Sequence, residues 1–193
     1  MYQELITLDQ DRPTDRLDYA FVAMRLDRWD DVKSLSRSFP QGLDTPRRHL
    51  IDAMVADQEQ DWEAADQAYA RAEKLSPEPA PVLNNWGVSQ MSRGDLTAAT
   101  ATFQRALSYD ARLFNAKNNL AIVSALQGQY SLSLVPLADD EKAVLLNNMG
   151  IVAMRRGNEK VARGLFAAAV EAHPQHYAGA ASKLAALESI VEN

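Results

Sequence analysis

The sequence predicts an all-α protein built as a solenoid of about five helix hairpins, and three observations carry the prediction. The stretches Asn84-Asn85-Trp86-Gly87, Asn118-Asn119-Leu120-Ala121 and Asn147-Asn148-Met149-Gly150 repeat one pattern, the second copy thirty-four positions after the first and the third twenty-nine after that. Two amides are followed by a large and a small residue, at the period of a helical-hairpin repeat. A glycine and a polar residue then mark a turn, at Gly94-Asp95, Gly128-Gln129 and Gly157-Asn158; glycine supplies a left-handed helix end and the polar residue opens the next helix. Three second helices carry small, large and small residues four and three apart, on one face: Ala65, Tyr69 and Ala72, then Ala99, Phe103 and Ala106, then Ala162, Phe166 and Ala169.

The small residue of the first helix aligns Ala20, Ala53, Gly87, Ala121 and Gly150, with three intervals of thirty-three or thirty-four positions and a last one of twenty-nine. They define units at 13–45, 46–79, 80–113, 114–142 and 143–175 of one array over 1–193. Ahead of them, Glu4-Leu5-Ile6-Thr7-Leu8-Asp9 reads as the end of a second helix without its partner, so 1–12 is expected to be the remnant of a preceding repeat and the chain a piece of something longer. The first unit, with Ala20, Trp29 and Val32, is degenerate. A second small residue three further on (Ala23, Ala56, Ser124, Ala153) lets neighbouring helices approach closely; Gln90 breaks the rule in the third unit. Proline closes two units, at Pro77 and Pro174, where it ends a helix. The fourth unit is five residues short, and Pro136 in Leu134-Val135-Pro136-Leu137-Ala138 is expected to curtail or bend its second helix. The alanine-rich stretch 177–191, with Leu184, Leu187 and Ile190, predicts a capping helix over 176–193 whose solvent face carries Lys183, Glu188 and Glu192.

Composition narrows the functional classes. With 47% apolar residues the chain can bury a continuous core. The absence of cysteine excludes disulfides, thiolate metal sites, cysteine nucleophiles and acylated cysteine anchors from these 193 residues, and leaves the redox compartment open. No apolar run approaches the roughly 18 residues of a membrane span, and the start Met1-Tyr2-Gln3-Glu4 lacks the regions of a secretory signal. The expectation is a soluble chain, or a mature segment whose signal is missing. Acidic residues outnumber basic ones 17 to 10 before Pro79 and number 9 against 10 from there on, about −7 and +1. That balance argues against wrapping nucleic acid and for a protein partner.

These residues resemble the tetratricopeptide (TPR) repeat, with its large-small pair in helix A, turn glycine, alanine-aromatic-alanine in helix B and closing proline. The resemblance covers nearly the whole chain, most sharply from Pro46 to Pro174. It implies a right-handed superhelix in which helix A lines the concave surface. Asn84, Asn118 and Asn147 then fall on the inner face, and Asn85, Asn119 and Asn148 on the framework position, where an amide satisfies backbone groups between helices. An amide offers both donor and acceptor, so a file of them can hold the backbone of an extended peptide regardless of its sequence. Each such bond adds only about 0.5–1.5 kcal/mol, so several must act together. Beside them Met54, Val88, Met91, Ile122, Leu126, Ile151 and Arg155 form a largely apolar strip for aliphatic side chains of the peptide, with core packing the plainer role for any one of them. The carboxylate clamp known in other TPR proteins needs Lys and Arg at these inner positions, which are mostly amide or apolar in this chain.

Other candidates carry less. His173 and His176 have no further ligand nearby in sequence and read as a loop pair rather than a metal site. Arg47-Arg48-His49 and Arg155-Arg156 are too short for nucleic-acid binding, and Trp29 and Trp62 stand where large residues wedge adjacent hairpins. No phosphate-binding glycine loop, HExxH pair or nucleophile elbow occurs, so neither an enzyme nor a cofactor is expected.

From Pro81 to Ala138 the likeness narrows. Leu83-Asn84-Asn85-Trp86-Gly87-Val88, Ala116-Lys117-Asn118-Asn119-Leu120-Ala121 and Leu134-Val135-Pro136-Leu137-Ala138 are similar to the TadD-type proteins of bacterial tight-adherence (Flp) pilus systems. That resemblance implies a periplasmic protein, lipid-anchored at the outer membrane, that assists assembly of the pilus secretin; this chain lacks the lipobox cysteine, so either a leader has been removed or it is an unanchored relative. The expectation is a non-catalytic adaptor binding an extended segment of a secretion or pilus component, as a monomer or weak homodimer. Three alternatives stay open: a self-associating structural unit, a regulatory domain of a longer protein, and a cytoplasmic location.

Overall fold

A computed structural model describes residues 13–40, 42–132, 137–173 and 178–191. The described residues form ten helices and no strand: α1 Pro13–Arg25, α2 Trp29–Ser38, α3 Pro46–Glu59, α4 Trp62–Leu75, α5 Pro79–Ser92, α6 Leu96–Tyr109, α7 Phe114–Leu126, α8 Asp139–Arg155, α9 Glu159–Ala172 and α10 Ala178–Val191. The chain divides into two compact units, one up to Trp86 and one from Gly87 onward. The expected remnant at 1–12, the Leu134-Val135-Pro136 stretch and Pro174 to Tyr177 lie outside the described residues.

One hydrogen bond builds every hairpin turn. The backbone N–H of Arg28, Asp61, Asp95, Gln129 and Asn158 donates to the carbonyl of Ala23, Ala56, Gln90, Ser124 and Ala153 respectively, at 2.8–2.9 Å. Each acceptor is the second small position of its helix, or Gln90 in its place. The residue between must turn left-handed. Glycine does so at Gly94, Gly128 and Gly157, whereas Asp27 (φ 57°) and Gln60 (φ 58°) adopt the same conformation with a side chain. The next helix is then capped by its preceding residue. Asp61 accepts from the Ala64 N–H at 3.1 Å and Asp95 from the Ala98 N–H at 3.0 Å, each satisfying a donor that the first turn leaves open. Thr45 caps α3 in the same way, ahead of Pro46 at its first position.

In the first unit α1 pairs with α2 and α3 with α4, and α3 also packs on both α1 and α2. Tyr69 on α4 shares a core with Ala53 and Ala56 of α3. Its hydroxyl donates to Asp57 at 2.8 Å, and its ring stacks on Trp86 with centroids 6.1 Å apart. Trp86 in turn donates its indole N–H to Asp66 at 2.6 Å. Burial and the Asp57 and Asp66 carboxylates push the Tyr69 phenol far above its ordinary range, which keeps it a donor.

In the second unit the ring of Phe103 lies against Gly87, and that of Phe166 against Gly150. Both rings are fully buried. The fourth hairpin departs from this plan. Helices α4, α6 and α9 each have 14 residues, whereas only twelve, 127–138, separate α7 from α8. The described residues of that stretch contain no helix, so the second helix that the repeat pattern expects, curtailed or bent at Pro136, is not seen there. Tyr130, Leu132 and Leu137 instead pack, half-buried, on the core made by Ala121, Ala125, Leu145 and Met149. Leu137 stands as far beyond Ala121 as Tyr69 beyond Ala53, Phe103 beyond Gly87 and Phe166 beyond Gly150. It occupies the aromatic position of the repeat in sequence, outside any helix. Beside it Lys117, only 6% exposed, reaches Glu141 at 2.9 Å, and Glu141 also accepts the Ala138 N–H at the start of α8.

Helix α10 packs on α9 and buries Ala180. Lys183 does not serve the solvent face expected of it: it is half-buried and turned toward α8. The side chains of Glu188 and Glu192 lie outside the described residues.

Candidate functional site

The amide pairs on α7 and α8 meet in a register that their repetition alone does not specify. Asn148 Nδ2 donates to Asn118 Oδ1 at 2.7 Å, one position further along the chain than the repeat interval from Asn118 to Asn147. The bond therefore joins a member of the expected inner set to one of the framework set. Asn147 Nδ2 donates to Asn148 Oδ1 at 3.2 Å, and Lys183 Nζ to Asn147 Oδ1 at 3.4 Å. The four side chains form one relay across three helices.

The ammonium at its end determines the direction of that relay. Lysine can only donate, so Asn147 presents its oxygen to Lys183 and its nitrogen to Asn148; Asn148 repeats the arrangement toward Asn118. The last member is left with its amide N–H groups directed away from the chain of bonds. Asn118 is half-buried, and its Nδ2 donates to none of the described residues.

Burial separates the remaining candidates. Asn84 and Asn147 are 9% and 8% exposed, while Asn85, Asn119 and Asn148 are half-buried. Among the apolar candidates Ile122, Leu126 and Ile151 are half-buried against the core of α8 and α9. Met91 packs on Phe103 and its neighbours. Val88 is 38% exposed, Arg155 is exposed, and Met54, in the first unit, is half-buried. Asn84, Asn85 and Met54 belong to the first unit and the others to the second. In the second unit Asn118 of α7 is joined to Asn148 of α8, Ile122 and Ile151 pack half-buried on one core, and Arg155 is exposed at the end of α8. Lys183, read from the sequence as part of a solvent face, meets the distant Asn147 and lies over the Phe166 ring at 5.9 Å, contacts that the sequence does not signal. His173 is half-buried, and His176 lies outside the described residues. Among the described residues no group of His, Asp and Glu could hold a metal ion, and no helix is long and apolar enough to cross a membrane.

Paired helices with glycine or left-handed turns, small-residue contacts and aromatic seats define the TPR fold, and the chain matches solved TPR solenoids. PilF of Pseudomonas aeruginosa superposes with a TM-score of 0.59 at 16% identity, over 85% of this chain and 78% of that one. PilW, described as a widely conserved type IV pilus biogenesis factor, gives 0.57 at 19% identity, over 87% and 80%. YrrB, a TPR protein with an unusual peptide-binding site, gives 0.54 at 12% identity, over 91% and 93%. No family model and no curated protein sequence matches the chain. At these identities the likeness establishes the fold.

Proposed function

We propose that this chain is a non-catalytic interaction scaffold that binds an extended segment of a protein partner on its first helices. The observation that carries the reading is the relay from Lys183 to Asn118, which leaves an amide donor on α7 one turn before Ile122, with Ile151 one turn beyond its partner Asn148 on α8. A donor flanked by apolar groups suits a backbone carbonyl between aliphatic side chains. Asn147 supports the relay from within, Asn84 has the matching buried position on α5, and Asn85 and Asn119 are the half-buried counterparts of Asn148. Val88, Met91, Leu126 and Arg155 follow the amides along the same helices, and Met54 lies on the first helix of the preceding hairpin; the reading gives them the aliphatic and charged side chains of the partner segment.

The resemblance to TadD-type proteins and the fold shared with a type IV pilus biogenesis factor support a role in assembling a pilus or secretion apparatus, with a secretin or other secretion component as partner. The compartment that goes with this role is the periplasm. Photo-crosslinkers placed at Asn118 and Ile151 should capture one and the same protein in cells, and a crosslinker at Val161, exposed on α9, should not. Asn118→Ala should then weaken that partner about three- to tenfold, one hydrogen bond's worth, and Lys183→Met should weaken it by undoing the orientation of the relay. Equal affinity in both folded variants would refute the reading.

A further inference from the structure

One turn before the amide bridge, α7 and α8 frame a cleft. Phe114 precedes Asn118 by four positions on α7, and Val144 precedes Asn148 by four on α8. Both side chains are half-buried against the core of the second unit. With Asp140 and Glu141 from the start of α8 they line a cleft of about 330 Å³. The two carboxylates differ. Glu141 accepts from Lys117 on both oxygens, at 2.9 and 3.2 Å, and from the Ala138 N–H as well, so its charge is answered within the fold. Asp140 is exposed and meets neither a basic side chain nor a backbone donor among the described residues.

We propose that this cleft takes a lysine or arginine side chain of the partner segment. A carboxylate in the first turn of a helix is explained by the helix dipole alone; what sets Asp140 apart is the company of Phe114 and Val144 in one cleft. Apolar walls accept the methylene stem of a basic side chain, the unanswered carboxylate accepts its charge, and an aromatic ring attracts a cation set over its face. The proposal deepens the reading of the amides and rests on it for the course of the segment. From Phe114 to Asn118, and again from Asn118 to Ile122, α7 advances about 6 Å, the length of about two extended residues. A segment whose carbonyl is held at Asn118 then places its basic residue on one side and an aliphatic residue on the other, about four apart, where extended side chains share a face.

The probe is a random peptide library displayed on phage and panned on the immobilised full chain. Enriched sequences should carry a lysine or arginine about four residues from an aliphatic one. Panning on Asp140→Asn should keep the aliphatic preference and lose the basic one. Asp139→Asn removes the same charge from the same helix turn without lining the cleft, and should change nothing. One enriched peptide, made synthetically, should lose about three- to tenfold in affinity when its basic residue becomes methionine, the range of a partly exposed ion pair beside an aromatic ring. That loss should vanish in Asp140→Asn. A basic preference that survives Asp140→Asn, or that falls equally in Asp139→Asn, would overturn the proposal, as would a library that enriches no basic residue or nothing at all. Panning on Asn118→Ala keeps the two failures apart. An aliphatic preference that needs Asn118, with no basic one beside it, leaves the amides and removes the cleft; a basic preference that needs Asp140 and ignores Asn118 leaves the cleft and removes the amides.

Discussion

Two glycines in this chain are there for what sits on them. At Gly87 and Gly150 the backbone is helical, where glycine costs about 1 kcal/mol against alanine, yet a methyl group would overlap Phe103 or Phe166. Gly87→Ala should therefore destabilise the protein by about 1–3 kcal/mol, the range for overfilling a packed core, measured by urea unfolding. Phe103→Leu in the same chain should recover part of the loss, since the smaller side chain vacates the space. In the first unit Ala53 is tolerated opposite Tyr69, whose ring is held by Asp57 and Trp86. The repetition of a small residue was legible in the sequence; that two of them must be glycine was not, because it depends on how far each ring is drawn in. Gln90, the exception to the small-residue rule, is 6% exposed, and its Oε1 has no hydrogen-bond partner among the described residues. Its backbone carbonyl nevertheless makes the turn bond that Ala23, Ala56, Ser124 and Ala153 make.

At the scale of elements, the pair between Lys117 and Glu141 bridges two first helices that have no second helix of the usual length between them. Lys117 is buried and Glu141 is 22% exposed on its side chain. Removing one partner leaves the other facing a partly apolar surface. Lys117→Met should cost up to about 3 kcal/mol, and the double change Lys117→Met with Glu141→Leu should cost clearly less, because paired removal leaves no charge stranded. A double-mutant cycle in urea measures both; costs that simply add would show that the pair contributes nothing as a pair. Helix ends and turns were the most legible part of the fold, since Gly94-Asp95, Gly128-Gln129 and Gly157-Asn158 act through local backbone geometry. The site was half legible. Repetition marked the six asparagines, but which of them meet depends on how α7 lies along α8, and Asn118 finds Asn148 one residue beyond the repeat interval. Lys183, which orients the relay, comes from a helix with no part in the repeated pattern.

For the molecule as a whole, several of the acidic side chains before Pro79 are paired with basic ones. Arg28 meets Asp31, Arg47 meets Asp18, Arg48 meets Asp52, and Arg71 meets Asp44. Exposed pairs of this kind contribute little singly. Asp44 is the informative one. Hydrogen bonds from Arg71 and His49 hold its carboxyl at about 2, below the ordinary 3.8. A carboxyl depressed by folding adds stability that is fully present above its unfolded value and is lost as pH falls toward the folded one. Acid unfolding should therefore show a small contribution between about pH 4 and 2 that Asp44→Asn removes, seen by comparing melting temperatures of the two proteins across that range. The twelve-residue link from α7 to α8 has a consequence in time as well as in space. Along an array of hairpins, order spreads from neighbour to neighbour across short turns; at this link the chain must first bring together helices across a stretch whose described part has no helix of its own. Closing it costs more entropy than closing a tight turn. On leaving a ribosome or a denaturant, α8, α9 and α10 should start their own clock, and the join to α7 should be the late beat of the folding sequence.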